Sequence, residues 1–238
     1  LRKVIDRAVD SGIPVVTFNT DAPKSRRMCF VGQDSLTAGR VAGELMGELS
    51  DRKGKVLIIT GFHKTLRHRQ RVQGFKEQIQ RYFPDIEIIG IYENHDKPQE
   101  AYSISRKVLE SCPKLKGIYV TAGGPFGAGQ AIKDVRKGGS VKLICFDLLE
   151  ETIQLIREGI VQLSIQQDPF FQGYESVRIL YNYILINHDS PKEFVFTNLA
   201  IACRGNIEML SRQHIKNVDT VANQVLEKIS YAKSTLRS

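Results

Sequence analysis

The sequence predicts an α/β protein built on parallel β-sheets. Two periodicities alternate along its 238 residues: short β-branched runs, and longer segments with apolar residues at helical spacing. Such alternation is typical of strand–helix–strand units, whose strands run parallel. Apolar residues make up 42% and charged residues 25%, the profile of an ordinary globular protein that can bury a core without disulfides.

Each element follows from a local pattern. Strands are predicted over residues 13–18, 55–60, 86–92, 117–121, 141–146 and 161–166. Helices are predicted over residues 35–49, 66–82, 99–112, 126–137, 150–158 and about 170–186. Asp34 offers an N-cap to the first helix, and Gly159 ends the fifth, since glycine adopts the left-handed conformation at low cost. Beyond these, residues 193–203 are expected to be extended and residues 206–238 to form a polar helical tail.

Charge and cysteine content bear on partners and compartment. The net charge is +8, and its densest basic stretch, residues 64–71, is either a phosphate- or nucleic-acid-binding surface or, as we favour, a solvated first helical turn. The four cysteines (Cys29, Cys112, Cys145 and Cys203) lack CxxC spacing, which fits small buried side chains in a reducing compartment, and we expect a cytoplasmic protein. No apolar run approaches the ~20 residues of a membrane span.

Catalytic motifs are missing from the sequence. The glycines around Gly123 and Gly124 match neither a P-loop nor a dinucleotide fingerprint, and there is no HExxH or GxSxG pattern. We therefore expect no enzymatic activity, no metal site and no cofactor.

Polar residues follow the predicted strands, where ligands of open α/β sheets bind. Asn19 and Asp21 follow the first strand, and Gln167 follows the sixth. Asp147 directly follows the apolar residues 143–146, so it either accepts hydrogen bonds from ligand hydroxyls or caps the next helix; we favour the ligand role.

Five motifs in register carry a family resemblance: GIPVVTFNTD (12–21), VGQD with AGR (31–34, 38–40), RVQGF (71–75), CFD (145–147) and IQQDPFFQGY (165–174). The chain resembles type I periplasmic sugar-binding proteins and the ligand-binding cores of lac-repressor-family regulators. The QDPxxxGY run is more similar to the regulators than to free transport proteins.

The resemblance implies a two-lobed (Venus-flytrap) clamp of flavodoxin-like parallel sheets, joined by three crossing strands around a sugar or similar polar ligand. Residues 33–167 would form the C-terminal lobe. Residues 1–32 and 168–205 would form part of the N-terminal lobe, which is incomplete, so we expect an N-terminally truncated piece. The tail, residues 206–238, exceeds the usual ending of the family.

The family's ligand contacts, carried over by position, fall on Asn19, Asp21, Arg69, Arg71, Asp147 and Gln167. Two departures concern the ligand. Ala122 and Gly123 stand where many sugar binders have an Asn-Asp pair, and Asn19 and Thr20 stand where ribose binders have an Asp-Arg pair.

The function that we favour from this resemblance is the effector-binding and dimerisation core of a bacterial transcription regulator. Lobe closure on a sugar would switch its affinity for DNA, held by a domain absent from this chain, in a homodimer. The alternative is an extracytoplasmic sugar- or solute-binding protein that serves a transporter or a membrane sensor.

Overall fold

The computed structural model describes residues 1–186 and 191–212. Seven helices of this part carry the labels α1 (Arg2–Asp10), α2 (Ser35–Leu49), α3 (Leu66–Tyr82), α4 (Pro98–Ser111), α5 (Pro125–Asp134), α6 (Glu150–Arg157) and α7 (Pro169–Leu185). Its nine strands are β1 (Val16–Phe18), β2 (Cys29–Gly32), β3 (Gly54–Thr60), β4 (Ile86–Glu93), β5 (Leu115–Val120), β6 (Lys142–Phe146), β7 (Val161–Gln166), β8 (Phe194–Phe196) and β9 (Ala200–Ala202).

Two sheets divide these strands between two lobes. The small sheet has the parallel order β1-β2-β8, and the large sheet has the order β4-β3-β5-β6-β7-β9. Among the described strands, only β9 is antiparallel, pairing with β7. The strand order reverses between β3 and β5, and in α/β sheets ligands bind at such a switch point, outside the carboxyl ends of the strands.

The large sheet is buried on both faces. Along β3, Leu57 and Ile59 pack in the cluster formed with α4, α5 and α6, while Val56 and Ile58 pack in the cluster formed with α2 and α3. The alternation of strand side chains produces this division. A sheet covered by helices on both faces explains why these strands read as continuous apolar runs.

Glycines bring α2 and α3 unusually close together. A Cβ atom on Gly74 of α3 would lie 2.0 Å from the carbonyl oxygen of Leu36 in α2. A Cβ atom on Gly39 of α2 would lie 2.2 Å from the carbonyl oxygen of Arg71. This contact fixes the height of α3, and with it Arg71, above the large sheet.

The predicted two-lobed α/β architecture with parallel sheets is confirmed, as are the bounds of α2 and α3. Asp34 caps α2 by accepting hydrogen bonds from the amides of Leu36 and Thr37. Gly159 has a φ of +74° just after α6. The fourth predicted helix ends at Asp134 rather than at 137, before the Gly138-Gly139 pair.

Two features of the lobes differ from the sequence expectation. β2 has only four residues and was not among the predicted strands. β9 lies in the large sheet, and Ile207 is buried in the large lobe, although the sequence assigned residues up to 205 to the small lobe. Of the predicted tail, residues 213–238 lie outside the described residues.

Candidate ligand-binding cleft

Two adjoining cavities lie where the carboxyl ends of the two sheets meet. The first, about 370 Å³, is bordered by Asp21, Gln33 and Phe194 among others. The second, about 350 Å³, is bordered by Phe18, Asp147 and Gln167 among others. Asn19 from the small lobe and Arg67 from α3 line both. These volumes are within the range of small-molecule sites.

Arg71 lies beneath this cleft at the switch point of the large sheet. Its side chain is 1% exposed, donates to the carbonyl oxygen of Thr121 at 2.7 Å and to the Gln33 side-chain oxygen at 3.1 Å, and stacks 3.5 Å from the ring centre of Phe146. Burial lowers the pKa of Arg71 to about 10, against the opposing effect of Tyr119 and Asp147, so it stays charged at neutral pH. Arg71 thus ties α3 to the strand ends and to Gln33, which lies where the chain passes from the small lobe to the large lobe.

Asp147 and Gln167 form the second polar group. The Gln167 side-chain amide donates to both carboxylate oxygens of Asp147, at 2.7 and 2.9 Å. Asp147 has a φ of +67°, so the chain turns sharply after β6 and the carboxylate borders the cavity. Asp147 does not cap the next helix, because the N-cap of α6 is Leu149. Its carboxylate therefore has lone pairs left for a ligand.

Asn19 meets the large lobe directly. Arg67 Nη1 donates to the Asn19 side-chain oxygen at 2.7 Å, and this bond joins the two lobes across the cleft. Asn19 itself has a φ of +62°, a left-handed conformation that asparagine tolerates, and it follows β1 by one residue. Arg67 was not among the residues predicted from the sequence. Its position four residues before Arg71, on the same face of α3, is the signal that could have found it.

Asp21 borders the first cavity but is held within the small lobe. Arg27 donates to both of its carboxylate oxygens, at 2.5 and 2.7 Å, and Thr17 donates to it at 3.1 Å. The Arg27 and Asp21 side chains are only 4% and 11% exposed. Much of the hydrogen-bonding capacity of Asp21 is therefore used by its own lobe.

Arg69 is not brought together with the other predicted residues. Its guanidinium donates to the carbonyl oxygens of His63 and Lys64. It borders a separate cavity of about 500 Å³ on the outer side of α3, together with His68 and Lys76.

Hydrogen bonds hold the segments in which the chain passes between the two lobes. Gln33, just after β2, donates from its side chain to the backbone oxygen of Gln166 at 2.9 Å and accepts from Arg71. Just after β8, the backbone amide of Thr197 donates to the carbonyl oxygen of Gly32. Gln33 is a further residue that the sequence did not single out.

Within residues 1–186 and 191–212, no cluster of three or more His, Cys, Asp or Glu side chains is arranged to hold a metal ion. In the same part of the chain, no helix combines the length and apolar character needed to cross a membrane.

Comparison with known proteins identifies the family. Residues 1–187 match the family described as periplasmic binding protein domain. The chain belongs to this family. A similar solved structure, the sugar-binding protein of a sugar ABC transporter from Bacillus halodurans, is 31% identical with a TM-score of 0.81, covering 88% of this chain and 75% of that one.

Two further similar proteins help to place the chain. The xylose/arabinose-binding protein XylF of Sulfolobus acidocaldarius is 26% identical over 212 residues, covering 79% of this chain and 52% of that protein. XylFII, solved in a complex with LytSN, is 30% identical with a TM-score of 0.77, covering 86% of this chain and 72% of that one. The chain spans about half the length of the curated relatives that it matches.

The prediction of a transcription regulator is wrong. The similar proteins are named as sugar-binding proteins, among them a ribose import binding protein and the sugar-binding protein of an ABC transporter, and no lac-repressor relationship is shown. Without it, nothing supports the DNA partner or the homodimer. Relatives named for import and periplasmic binding agree with the extracytoplasmic alternative rather than with the cytoplasm.

The cysteines do not indicate the compartment of this protein. Cys29 and Cys145 are free and buried, and burial raises the pKa of the Cys145 thiol to about 12. A buried thiol of this kind is unreactive in either compartment, so it carries no information about the redox environment.

Proposed function

We propose that this protein is an extracytoplasmic sugar-binding protein that delivers a monosaccharide to an ABC transporter. The ligand would lie between the lobes and contact Asn19 of the small lobe, Arg67 and Asp147 of the large lobe, and Gln167. No chemical step is involved: binding and release are the whole activity.

The observation that carries this proposal is the convergence of hydrogen-bonding groups from both lobes on one cleft. Asn19 comes from the small lobe, Arg67 and Asp147 come from the large lobe, and Gln167 follows β7 at a crossing. Sugars present many hydroxyl groups, each able to donate and accept, and charged side chains bind hydroxyls with the stronger class of hydrogen bonds. Phe18, half exposed at the edge of the second cavity, adds an apolar surface for a sugar ring.

The names of the matched relatives support a monosaccharide. They include binding proteins for xylose and arabinose, for ribose and allose, and for glucose and galactose. These ligands differ in ring substituents but share the hydroxylated ring that such a cleft would hold.

Isothermal titration calorimetry on the intact protein tests the proposal. The panel contains D-xylose, L-arabinose, D-ribose, D-galactose and D-glucose with their acidic derivatives, and a non-sugar polyol as control. We expect saturable binding of at least one sugar with a dissociation constant in the micromolar range or below. The absence of saturable heat for every sugar at millimolar concentration would contradict the proposal.

A second candidate concerns the partner and not the ligand. XylFII was solved in a complex with LytSN, so a protein similar to this chain is bound by a second protein. Co-purification of the sugar-loaded protein with membrane proteins of its own cell would distinguish a transporter permease from a sensor.

A further inference from the structure

The cleft contains positive charge that the protein itself leaves unpaired. Among the described residues, neither Arg67 nor Arg71 has a carboxylate oxygen within 4 Å, unlike Arg27, whose charge is matched by Asp21. The Nε atoms of Arg67 and Arg71 are both buried with no hydrogen-bond partner in this part of the chain. Arg71 is almost fully buried beneath the cleft without an anion, which is costly, whereas Arg67 is half-buried and borders both cavities, where a ligand can reach it.

Helix α3 adds to this positive potential. Its N-terminus opens onto the first cavity through Leu66 and Arg67, its N-cap Thr65 makes no side-chain hydrogen bond, and its first turn has no acidic residue. An arginine in the first turn is unfavourable next to the positive end of a helix dipole, and Arg67 and Arg71 repel each other at a spacing of four. An anion between Arg67 and the helix N-terminus would relieve both effects.

The acidic groups that border the cleft are engaged by partners other than Arg67. Asp147 is the only acidic residue bordering the second cavity in the described structure, and Gln167 occupies one face of its carboxylate. In the first cavity, Asp21 and Glu193 both lie against Arg27, and Asp34 is used as the N-cap of α2. Arg67, which borders both cavities, is therefore left without a carboxylate partner of its own in this part of the chain.

We propose that the natural ligand is an acidic monosaccharide whose anionic group is held by Arg67 at the N-terminus of α3. This inference rests on the proposed function and specifies its ligand class. Asp147 and Gln167 would bind ring hydroxyls on the opposite side of the cleft. A guanidinium group presents a planar fork of donors that matches a carboxylate, so a sugar acid is the first choice and a sugar phosphate shares the same chemistry.

Matched pairs of ligands test the proposal by calorimetry on the intact protein. D-glucose is compared with D-glucuronate and D-glucose 6-phosphate, and D-galactose with D-galacturonate. We expect at least one acidic sugar to bind about 10- to 100-fold more tightly than its neutral partner, the effect of one charge-assisted contact. Preference between the uronate and the phosphate identifies the anionic group.

Variants at Arg67 assign the preference to this side chain. In Arg67→Gln the ratio of acidic to neutral affinity should fall about 10-fold or more, and in Arg67→Lys it should fall less, because the charge remains. Arg81→Gln is the matched control: it removes the same charge from an exposed position of α3, ~21 Å along the helix at 1.5 Å per residue, and should leave the ratio unchanged.

The outcomes separate the two proposals. Tight binding of neutral sugars with equal or weaker binding of every acidic partner would overturn this inference and leave the sugar-binding function standing. An acidic preference that Arg67→Gln does not reduce would also overturn it. Binding of no sugar, neutral or acidic, would overturn the proposed function itself.

Discussion

Substituting alanine for Gly74 tests the packing that holds the cleft arginines in place. The new Cβ atom would lie 2.0 Å from the carbonyl oxygen of Leu36 and 2.9 Å from the amide nitrogen of Arg40. Both neighbours are backbone atoms of α2, so no side-chain rotation relieves the clash and the two helices must move apart. Arg71, one helical turn before Gly74, would then be displaced from the carbonyl oxygen of Thr121.

The expected magnitude follows from two opposing contributions. Forcing a methyl group into this contact costs about 3 kcal/mol of stability. This value is at the upper end of the usual cost of overpacking, because the clash can be relieved only by moving backbone atoms. Alanine gains back about 1 kcal/mol in helix propensity over glycine. The net loss is therefore about 2 kcal/mol, which at a typical urea dependence of ~2 kcal/mol per molar lowers the unfolding midpoint by about 1 M.

Urea unfolding of the intact protein, followed by circular dichroism, measures this loss. Gly173→Ala is the control, since nothing lies within 4 Å of the added Cβ atom in α7 and the same propensity gain should raise the midpoint slightly. The reasoning would be refuted if Gly74→Ala unfolded at or above the wild-type midpoint while Gly173→Ala behaved as expected.

Three further perturbations address single groups. Asp147→Ala should weaken sugar binding by about 1.5–3 kcal/mol, the value of a hydrogen bond to a charged group, with the unfolding midpoint nearly unchanged; equal affinity by calorimetry would remove Asp147 from the site. Burial lowers the pKa of His68 from 6.5 to about 4, so between these values the unfolded state binds more protons than the folded state. Stability should therefore fall as the pH drops from 6.5 towards 4, by up to about 3 kcal/mol, and His68→Gln should flatten that dependence in thermal melts. Arg27→Leu should destabilise the protein by about 3 kcal/mol because Asp21 loses its partner, and the double variant with Asp21→Leu should recover part of this in urea unfolding; a double variant no more stable than the single one would contradict the pairing.

The fold was predictable from the sequence because its signals are local. The bounds of α2 and α3 follow from apolar periodicity and from the Asp34 cap, which need no knowledge of tertiary contacts. β2 and β9 were harder to predict from the sequence, since a strand of three or four residues is defined by the neighbours with which it pairs. The pairing of β9 with the large sheet likewise depends on tertiary contacts, which residues 193–203 do not specify on their own.

The site was only partly predictable. Arg69 and Arg71 are two residues apart, which places them ~200° apart around a helix, so only one can face the sheet edge while the other faces outward. The structure turns Arg71 inward and brings Arg67, one turn earlier, to the cleft. Sequence patterns identify the helix but not its rotation, which the glycine contacts between α2 and α3 determine.

The central claim is that two lobes hold a sugar between them, and small-angle X-ray scattering with the sugar that calorimetry identifies tests it most directly. A ligand that contacts Asn19 on one lobe and Asp147 on the other favours the closed arrangement, because only that arrangement supplies both sets of contacts. We predict that the radius of gyration of the intact protein falls on saturation and returns when the sugar is removed. A radius of gyration unchanged at saturating sugar would contradict the account.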